Sequence, residues 1–388
     1  MIQPTQTFSL SGGIKLSFTD SGAPFNQLNY TTVLLLHGGV FNAYQFHKLH
    51  AYAHSLNLRT VLLHRRDYAG STPYSSSEIQ ELERGNVIFW ERLAAQMGEF
   101  LKMFIEREGI PKLAARQKRA LSPQANGLGK GGSGGVAILG WSGGCLPIIS
   151  FLGATQNRMF SEELYGFLVE YIGECIFYDP SYNCFGYPLP PDNRNYIPWE
   201  DTANSSEDFL QAFSNWVSSY YDHPCYDPIT RSLPATATIH DLDGSRRKSD
   251  ETSVSSWTAE EIAKGTEERP ARNEIATFLP PVQETLRVLT NQALFDPYCT
   301  RSWFPDVGIT HIGGTRTGWI CAWTMIETKK RYLQHSRTHG SESEDLDPKT
   351  GPGCRRIRFF DMDGANHFAH WDRPAEFLRL VAHSIRTP

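Results

Sequence analysis

Short, mostly apolar runs recur along the chain, and longer segments with apolar residues spaced by three or four separate them. The runs cover residues 32–36, 60–63, 136–139, 174–178, 307–312 and 356–360, and the clearest helical segments cover about 43–56, 87–107 and 374–385. Strands that are apolar throughout have both faces buried, which is typical of a parallel sheet covered by helices. Two alternating stretches at 7–10 and 14–18 predict an antiparallel hairpin before this sheet. The pattern therefore predicts an α/β fold with a mostly parallel central sheet and helices on both faces.

Three polar segments interrupt this rhythm, at residues 112–135, 240–274 and 335–353. They have no apolar period, so we expect mobile surface insertions outside the core, and residues 241–273 should be dispensable. The stretch between the runs at 174–178 and 307–312 is too long for a simple crossover. We therefore predict a core formed by residues 1–181 and 301–388, with a cap at 182–300 inserted over the carboxyl edge of the sheet.

A glycine-rich turn carries the most informative residue. The run at 136–139 leads directly into Gly140-Trp141-Ser142-Gly143-Gly144, and a helix-like apolar segment follows at 145–152. A serine can occupy the apex of so tight a turn only if nothing bulky lies two residues before or after it, and both positions are glycine. The turn exposes the hydroxyl at the start of a helix, where backbone N–H groups can face an oxyanion. We predict Ser142 as a nucleophile; the alternative is a glycine-rich turn with an incidental serine.

A serine nucleophile needs a base, and the base needs an orienting carboxylate. His367 follows the last predicted strand and is the expected base, while His370 is expected to pack beside the site. The loop at 313–318 contains no carboxylate, so we assign the acid to Asp179, one strand earlier. Pro180 should hold Asp179 extended at the strand tip, and the alternative is an Asp-Pro turn that only ends the strand. The following carboxylates are less well placed: Asp296, Asp306, Glu327, Asp361 and Asp363.

The oxyanion donors should be backbone N–H groups. One belongs to Gly143, the residue after the nucleophile, and the other should come from the loop after the strand at 32–36. Gly39 fits this second position, because His37 and Gly38 turn the chain before it. We expect structural roles for His37 and Gly38.

The chain resembles an α/β-hydrolase over residues 7–181 and 300–388. The resemblance rests on Leu36-His37-Gly38-Gly39, on the turn around Ser142 and on Gly364-Ala365-Asn366-His367-Phe368, and the loop at 66–72 is also similar to a family loop. It implies Ser142, His367 and Asp179 as a catalytic triad, with Gly39 and Gly143 as the oxyanion hole. The family usually carries its acid after the penultimate strand; the earlier position is similar to a variant found in some lipases and zearalenone-lactonase-like enzymes.

Within this resemblance, the serine selects the chemistry. Epoxide hydrolases and haloalkane dehalogenases of the fold use an aspartate at the turn, because their alkyl intermediate forms on a carboxylate. We expect a serine hydrolase that cleaves a carboxylic ester or lactone of an apolar small molecule. The alternatives are an acyltransferase, a carbon–carbon bond hydrolase and a non-catalytic binding protein of this fold. Aromatic residues favour an apolar substrate, although such residues more often form core: Phe209, Phe213, Trp216, Tyr220, Trp303, Trp319 and Trp323.

Composition narrows the remaining classes. A net charge of −5 over 388 residues offers no basic surface for nucleic acid. No segment approaches the roughly 18 apolar residues of a membrane span, and the first residues lack a signal-peptide pattern, so a cytoplasmic location is expected. Seven scattered cysteines without Cys-x-x-Cys spacing predict reduced thiols and no metal site. We expect no cofactor and a small-molecule ester or lactone as the partner; the oligomeric state stays open.

Overall fold

A computed structural model describes residues 3–114, 134–155, 159–201, 209–246, 250–338 and 354–387. Its strands are β1 (Gln6–Ser9), β2 (Lys15–Asp20), β3 (Thr31–Leu36), β4 (Leu58–Leu63), β5 (Val136–Trp141), β6 (Ile172–Tyr178), β7 (Gly308–Gly314) and β8 (Ile357–Met362). Its α-helices are α1 (His50–Ala53), α2 (Ser76–Glu83), α3 (Val87–Glu108), α4 (Cys145–Gly153), α5 (Glu162–Leu168), α6 (Phe209–Val217), α7 (Ala259–Gly265), α8 (Glu268–Glu274), α9 (Pro280–Thr290), α10 (Pro297–Ser302), α11 (Trp319–Thr338), α12 (Ala369–Asp372) and α13 (Pro374–Arg386).

One eight-stranded sheet forms the centre, with the order β1-β2-β4-β3-β5-β6-β7-β8. The pairs β1–β2 and β2–β4 are antiparallel, and all the other neighbouring pairs are parallel. Every residue of β3, β4 and β5 is buried, so both faces of the central strands are covered. The predicted α/β fold with a mostly parallel sheet is confirmed, and so is the amino-terminal hairpin.

The strand register brings the carboxyl ends of the central strands together. Leu36 at the end of β3 pairs with Gly140, and Trp141 at the end of β5 pairs with Tyr178. Tyr178 in turn pairs with Ile312 of β7. The loops that follow β3, β5, β6 and β7 therefore meet at one edge of the sheet, which is where open α/β sheets place their sites.

The polar segment at 240–274 differs from its prediction. It contains α7 and α8, and Trp257 is buried against Phe41, Phe368 and Trp371. The expectation that this segment contributes nothing to the core is wrong, and residues 241–273 are not expected to be dispensable. Polar contacts attach its helices to the core: the Gln45 amide donates to the Gly265 carbonyl oxygen at 3.0 Å, and the Asn273 amide donates to the Asp67 Oδ2 at 2.7 Å. A pattern of apolar positions does not reveal such contacts. Most of the other two polar segments, 115–133 and 339–353, lies outside the described residues.

Part of the stretch between β6 and β7 packs beside the sheet layer. Helix α9 lies against α4 so closely that a Cβ on Gly153 would stand 2.3 Å from the carbonyl oxygen of Leu289. The division of the chain into a core and a cap at 182–300 stays a prediction. Among the described residues, no helix combines the length and the apolar character that a membrane span needs.

Three histidines, of which His311 is buried and His50 and His64 are partly buried, make stability depend on pH. Burial lowers the pKa of His50 and of His64 to about 4, and it lowers the pKa of His311 in β7 to about 3. The folded protein therefore keeps these imidazoles neutral at a pH where the unfolded chain, with an ordinary pKa of about 6.5, already binds protons. Protonation of the unfolded chain favours unfolding, so stability present above pH 6.5 is lost as the pH falls.

We expect the free energy of unfolding to fall by up to about 1.4 kcal/mol per pH unit for each of these histidines between about pH 6.5 and pH 4. Urea titrations at several pH values would measure the slope. His311→Leu is the matched variant, because neither ring nitrogen of His311 has a hydrogen-bond partner among the described residues. It should flatten the decline, and equal slopes in the two proteins would contradict this explanation.

Candidate active site

The turn after β5 holds Ser142 in a strained conformation. Its φ of 53° lies in the left-handed region, which costs a non-glycine residue about 1–3 kcal/mol. Packing requires glycine on both sides of it: a Cβ on Gly140 would stand 2.3 Å from the Gly144 carbonyl oxygen, and one on Gly144 would stand 2.1 Å from that of Leu36. The predicted need for glycine at both positions is confirmed. The short 3-10 turn Ser142–Gly144 then leads directly into α4.

His367 and Asp179 are in direct contact although 188 positions separate them. The His367 Nδ1 lies 2.5 Å from the Asp179 Oδ2, and both side chains are buried. Two groups that follow β7 donate to the same carboxylate: the Gly314 N–H to Oδ1 at 3.2 Å and the Thr317 hydroxyl to Oδ2 at 2.5 Å. The loop at 313–318 contains no carboxylate, but it supplies two donors that hold the carboxylate of Asp179 at the end of β6.

The backbone of Asp179 is not extended, contrary to the sequence prediction. Its φ is 48°, and its N–H donates to the Ile312 carbonyl at 2.8 Å. Aspartate tolerates left-handed backbone better than most residues. The preference imposed by Pro180 loses here to the hydrogen bonds that the main chain and carboxylate of Asp179 make with β7 and its loop.

The main chain of His367 is fixed by the two strands next to it. Its carbonyl oxygen accepts from the Trp141 Nε1 at 3.0 Å and from the Tyr178 hydroxyl at 3.1 Å. His370 packs beside the site, with its ring centre 4.3 Å from that of Trp141. Burial and the neighbouring His367 lower the pKa of His370, which keeps it neutral.

The two predicted oxyanion donors lie side by side. The Gly39 nitrogen is 3.2 Å from the place that a Cβ on Gly143 would take, and a Cβ on Gly38 would stand 3.1 Å from the Cβ of Ser142. The Gly39 N–H donates to no acceptor among the described residues. It is therefore available to a ligand oxygen beside the turn.

The strand order, together with the places of Ser142, Asp179 and His367 along it, identifies the fold. An antiparallel second strand, a serine turn after the fifth strand, an acid after the sixth and a histidine after the eighth occur in this chain in that order. The chain has the α/β-hydrolase fold. Within that fold, the structure brings His367 and Asp179 into contact and places Gly39, Gly143 and Ser142 in one cavity with His367.

Comparison with known proteins adds no assignment. No protein-family model and no curated protein matches the sequence. Similar solved structures include an epoxide hydrolase from Solanum tuberosum, 13% identical with a TM-score of 0.47, covering 98% of this chain and 99% of that one. A bromoperoxidase from Bacillus anthracis is 11% identical with a TM-score of 0.46 and coverage of 99% and 100%. The fold assignment rests on the strand order, not on these distant similarities.

An apolar cavity opens above the serine turn. Its walls are mainly aromatic and aliphatic, and the apolar members are Val40, Phe41, Trp141, Leu146, Trp199, Phe213, Val217, Ala271, Ile275, Phe278 and Ile320. Of the aromatic residues proposed from the sequence, Phe213 lines this cavity, whereas Trp216, Trp319 and Trp323 are buried elsewhere. The side chain of Phe209 lies outside the described residues. Sequence reasoning missed Trp199 and Phe278, since no motif marks them.

Three potential metal ligands meet at the predicted triad: Asp179, Cys321 and His367. The Cys321 sulfur lies 3.6 Å from the His367 Nδ1, and burial raises the pKa of Cys321 well above its usual value, which keeps the thiol protonated. Two ligands of one zinc ion lie roughly 3.3 Å apart, given bonds of about 2 Å. The separation of 2.5 Å between His367 and Asp179 is that of a hydrogen bond and is shorter than the spacing of two ligands on one ion.

Proposed function

We propose that the protein is a serine hydrolase that cleaves a carboxylic ester or lactone of an apolar small molecule through an acyl-serine intermediate. The observation that carries this proposal is the buried hydrogen bond between His367 and Asp179, with His367 and Ser142 lining the same cavity. A serine that only shaped the turn would need no histidine and carboxylate pair at the same cavity. The combination provides a nucleophile, a base and a group that orients the base.

The proposed reaction follows from these positions. Asp179 accepts from Nδ1 of His367, which leaves Nε2 free to take the proton from the Ser142 hydroxyl. The serine oxygen attacks the ester carbonyl, and the negative oxygen that forms is stabilised by the N–H groups of Gly39 and Gly143. His367 then donates its proton to the departing alcohol. Water, activated by the same histidine, hydrolyses the acyl-serine and restores the enzyme.

The cavity supports an apolar substrate. Aromatic walls from both the core and the segment between β6 and β7 line the space beside the turn, as is common in small-molecule sites. An alkyl-enzyme intermediate of the epoxide hydrolase kind needs a carboxylate as its nucleophile, and the turn presents a hydroxyl. These features favour acyl chemistry over epoxide opening.

A fluorophosphonate probe tests the nucleophile, and 4-nitrophenyl butyrate without added alcohol tests the reaction. We expect a covalent adduct on Ser142 by peptide mapping, together with release of nitrophenol and free butyrate. Label on another residue, or none on the folded protein, would exclude the proposed nucleophile. Butyrate transferred only when an alcohol is added would instead identify an acyltransferase. A panel of aryl esters and lactones would then rank the substrates by kcat/KM.

A further inference from the structure

Glu274 is the one carboxylate among the described residues that line the cavity. It ends α8, and therefore comes from the segment between β6 and β7, whereas the nucleophile follows β5. Both of its oxygens are occupied: Arg65 donates to Oε1 at 2.5 Å, and the Tyr68 hydroxyl donates to Oε2 at 2.8 Å. Burial raises the pKa of Glu274. The side chain is thus tied to two core residues that lie beside the oxyanion loop, residues 38–40.

Arg65 fixes the direction of one peptide in the oxyanion loop. The Nη2 atom that binds Glu274 also donates to the Gly38 carbonyl oxygen at 2.7 Å. The peptide between Gly38 and Gly39 is planar and trans, so its C=O and N–H point in opposite directions. Because Arg65 holds the oxygen, the N–H points away from that contact, and its nitrogen lies 3.2 Å from the place that a Cβ on Gly143 would take. A guanidinium on the oxygen also polarises the peptide, which makes the N–H a stronger donor.

Tyr68 holds the next peptide of the same loop. The Val40 N–H donates to the Tyr68 hydroxyl at 3.1 Å, and this hydroxyl is the one that donates to Glu274. The guanidinium of Arg65 lies 5.0 Å from the centre of the Tyr68 ring, so the two side chains also support each other. Glu274 therefore binds two of the side chains that hold the oxyanion loop, and the third, His37, donates from Nδ1 to the Gly38 carbonyl oxygen at 2.9 Å.

We propose that Glu274 is a positioning residue for the oxyanion hole. Acting through Arg65 and Tyr68, it keeps the Gly39 N–H aimed at the oxygen that becomes negative during attack by Ser142. This role rests on the proposed serine hydrolase function. Glu274 belongs to the segment between β6 and β7, whereas the proposed oxyanion donors, Gly39 and Gly143, belong to the core. In this role, the segment contributes to stabilising the negative oxygen.

Other contacts hold α8 in place without Glu274. The Asn273 amide donates to the Asp67 Oδ2 at 2.7 Å, and Arg269 donates to the Asp67 carbonyl oxygen at 2.7 Å. Just before the helix, Glu267 accepts from the Ala69 N–H at 2.8 Å. Since these contacts already attach the helix to loop 67–69, the role of Glu274 can be separated from simple attachment.

The test is Glu274→Gln, which nearly preserves the shape of the side chain and removes its charge. We expect kcat on 4-nitrophenyl butyrate to fall about 10- to 100-fold while KM changes less than about threefold, because an oxyanion hole acts on the transition state. The rate of fluorophosphonate labelling at Ser142 should fall in parallel, since that adduct places an oxygen in the same hole.

Asn273→Ala is the matched control, because it removes a tether from the same helix and leaves Arg65 and Tyr68 untouched. Its kcat should stay within about threefold of the wild type. If both variants lose the same activity, or if Glu274→Gln keeps full kcat, Glu274 only attaches the helix and the proposal is wrong.

A double-mutant cycle with Arg65→Met identifies the route. In the Arg65→Met background, Glu274→Gln should lower kcat by less than about threefold, because the path to the Gly38 carbonyl is already broken. Fully additive losses would overturn the route through Arg65. A wild-type protein that neither hydrolyses the ester nor takes the label would overturn the proposed function and this role together, whereas an active wild type with an indifferent Glu274 variant would overturn this role alone.

Discussion

Ser142→Ala is expected to lower the rate of ester hydrolysis by about 10³- to 10⁶-fold, because the acyl intermediate of the proposed reaction forms on the Ser142 hydroxyl. The oxyanion donors and the apolar cavity stay in place, so a small residual rate should remain. Alanine has the same backbone preferences as serine at this strained position, and the melting temperature should therefore change little. Steady-state kinetics and thermal unfolding of the same preparation would check both expectations.

Ser181→Ala is the control for this prediction. Ser181 lines the same cavity, but its hydroxyl donates to the Asn183 side chain at 2.6 Å and has no part in the proposed reaction. Its loss should lower kcat/KM by less than about tenfold. An active Ser142→Ala enzyme beside an inactive Ser181→Ala enzyme would move the nucleophile to the other serine.

Asp179→Asn should lower kcat by about 10³- to 10⁴-fold. Asparagine can still accept from the Gly314 N–H, but its NH₂ group would face the His367 Nδ1. That arrangement favours the tautomer with the proton on Nε2, which cannot accept the serine proton, and the neutral amide cannot stabilise the imidazolium. Kinetics over a range of pH, with circular dichroism to confirm folding, would measure the loss.

Asp306→Asn and Glu327→Gln test whether a carboxylate near β7, rather than Asp179, is the acid. Asp306 is exposed before β7, and Glu327 pairs with Arg331 along α11. Each replacement should change kcat by less than about threefold. A normal Asp179→Asn enzyme beside a crippled Asp306 or Glu327 variant would return the acid to the neighbourhood of β7.

The sheet could be predicted from the sequence because its signal is local. A buried parallel strand must be apolar at every position, so β3, β4 and β5 stand out as runs. Ser142 could be located for the same reason, since the glycines on either side of it are required by contacts within one turn. The contact between His367 and Asp179 followed from chain order, and their catalytic roles stay predictions.

The contacts that hold the site could not be predicted from the sequence, because they join polar residues that are far apart in the chain. Thr317 donates to Asp179, and Arg65 binds both Gly38 and Glu274, yet none of these residues belongs to a spaced motif. Polarity alone predicted that 240–274 would lie outside the core. A pattern of apolar positions cannot distinguish side chains that face solvent from those that bind buried peptide groups.

The anchoring of His367 has a consequence for how the protein acquires its reactivity. The hydrogen bond from Trp141 to the His367 carbonyl spans 226 positions of the chain, and His367, the proposed base, follows β8, the last strand of the described residues. Contacts of such high sequence separation form late and slowly in folding. A nascent chain can complete the turn at Ser142 long before the base is synthesised. Newly made protein should therefore be inert toward phosphonates until β8 has joined the sheet, so the label would time the final step of folding.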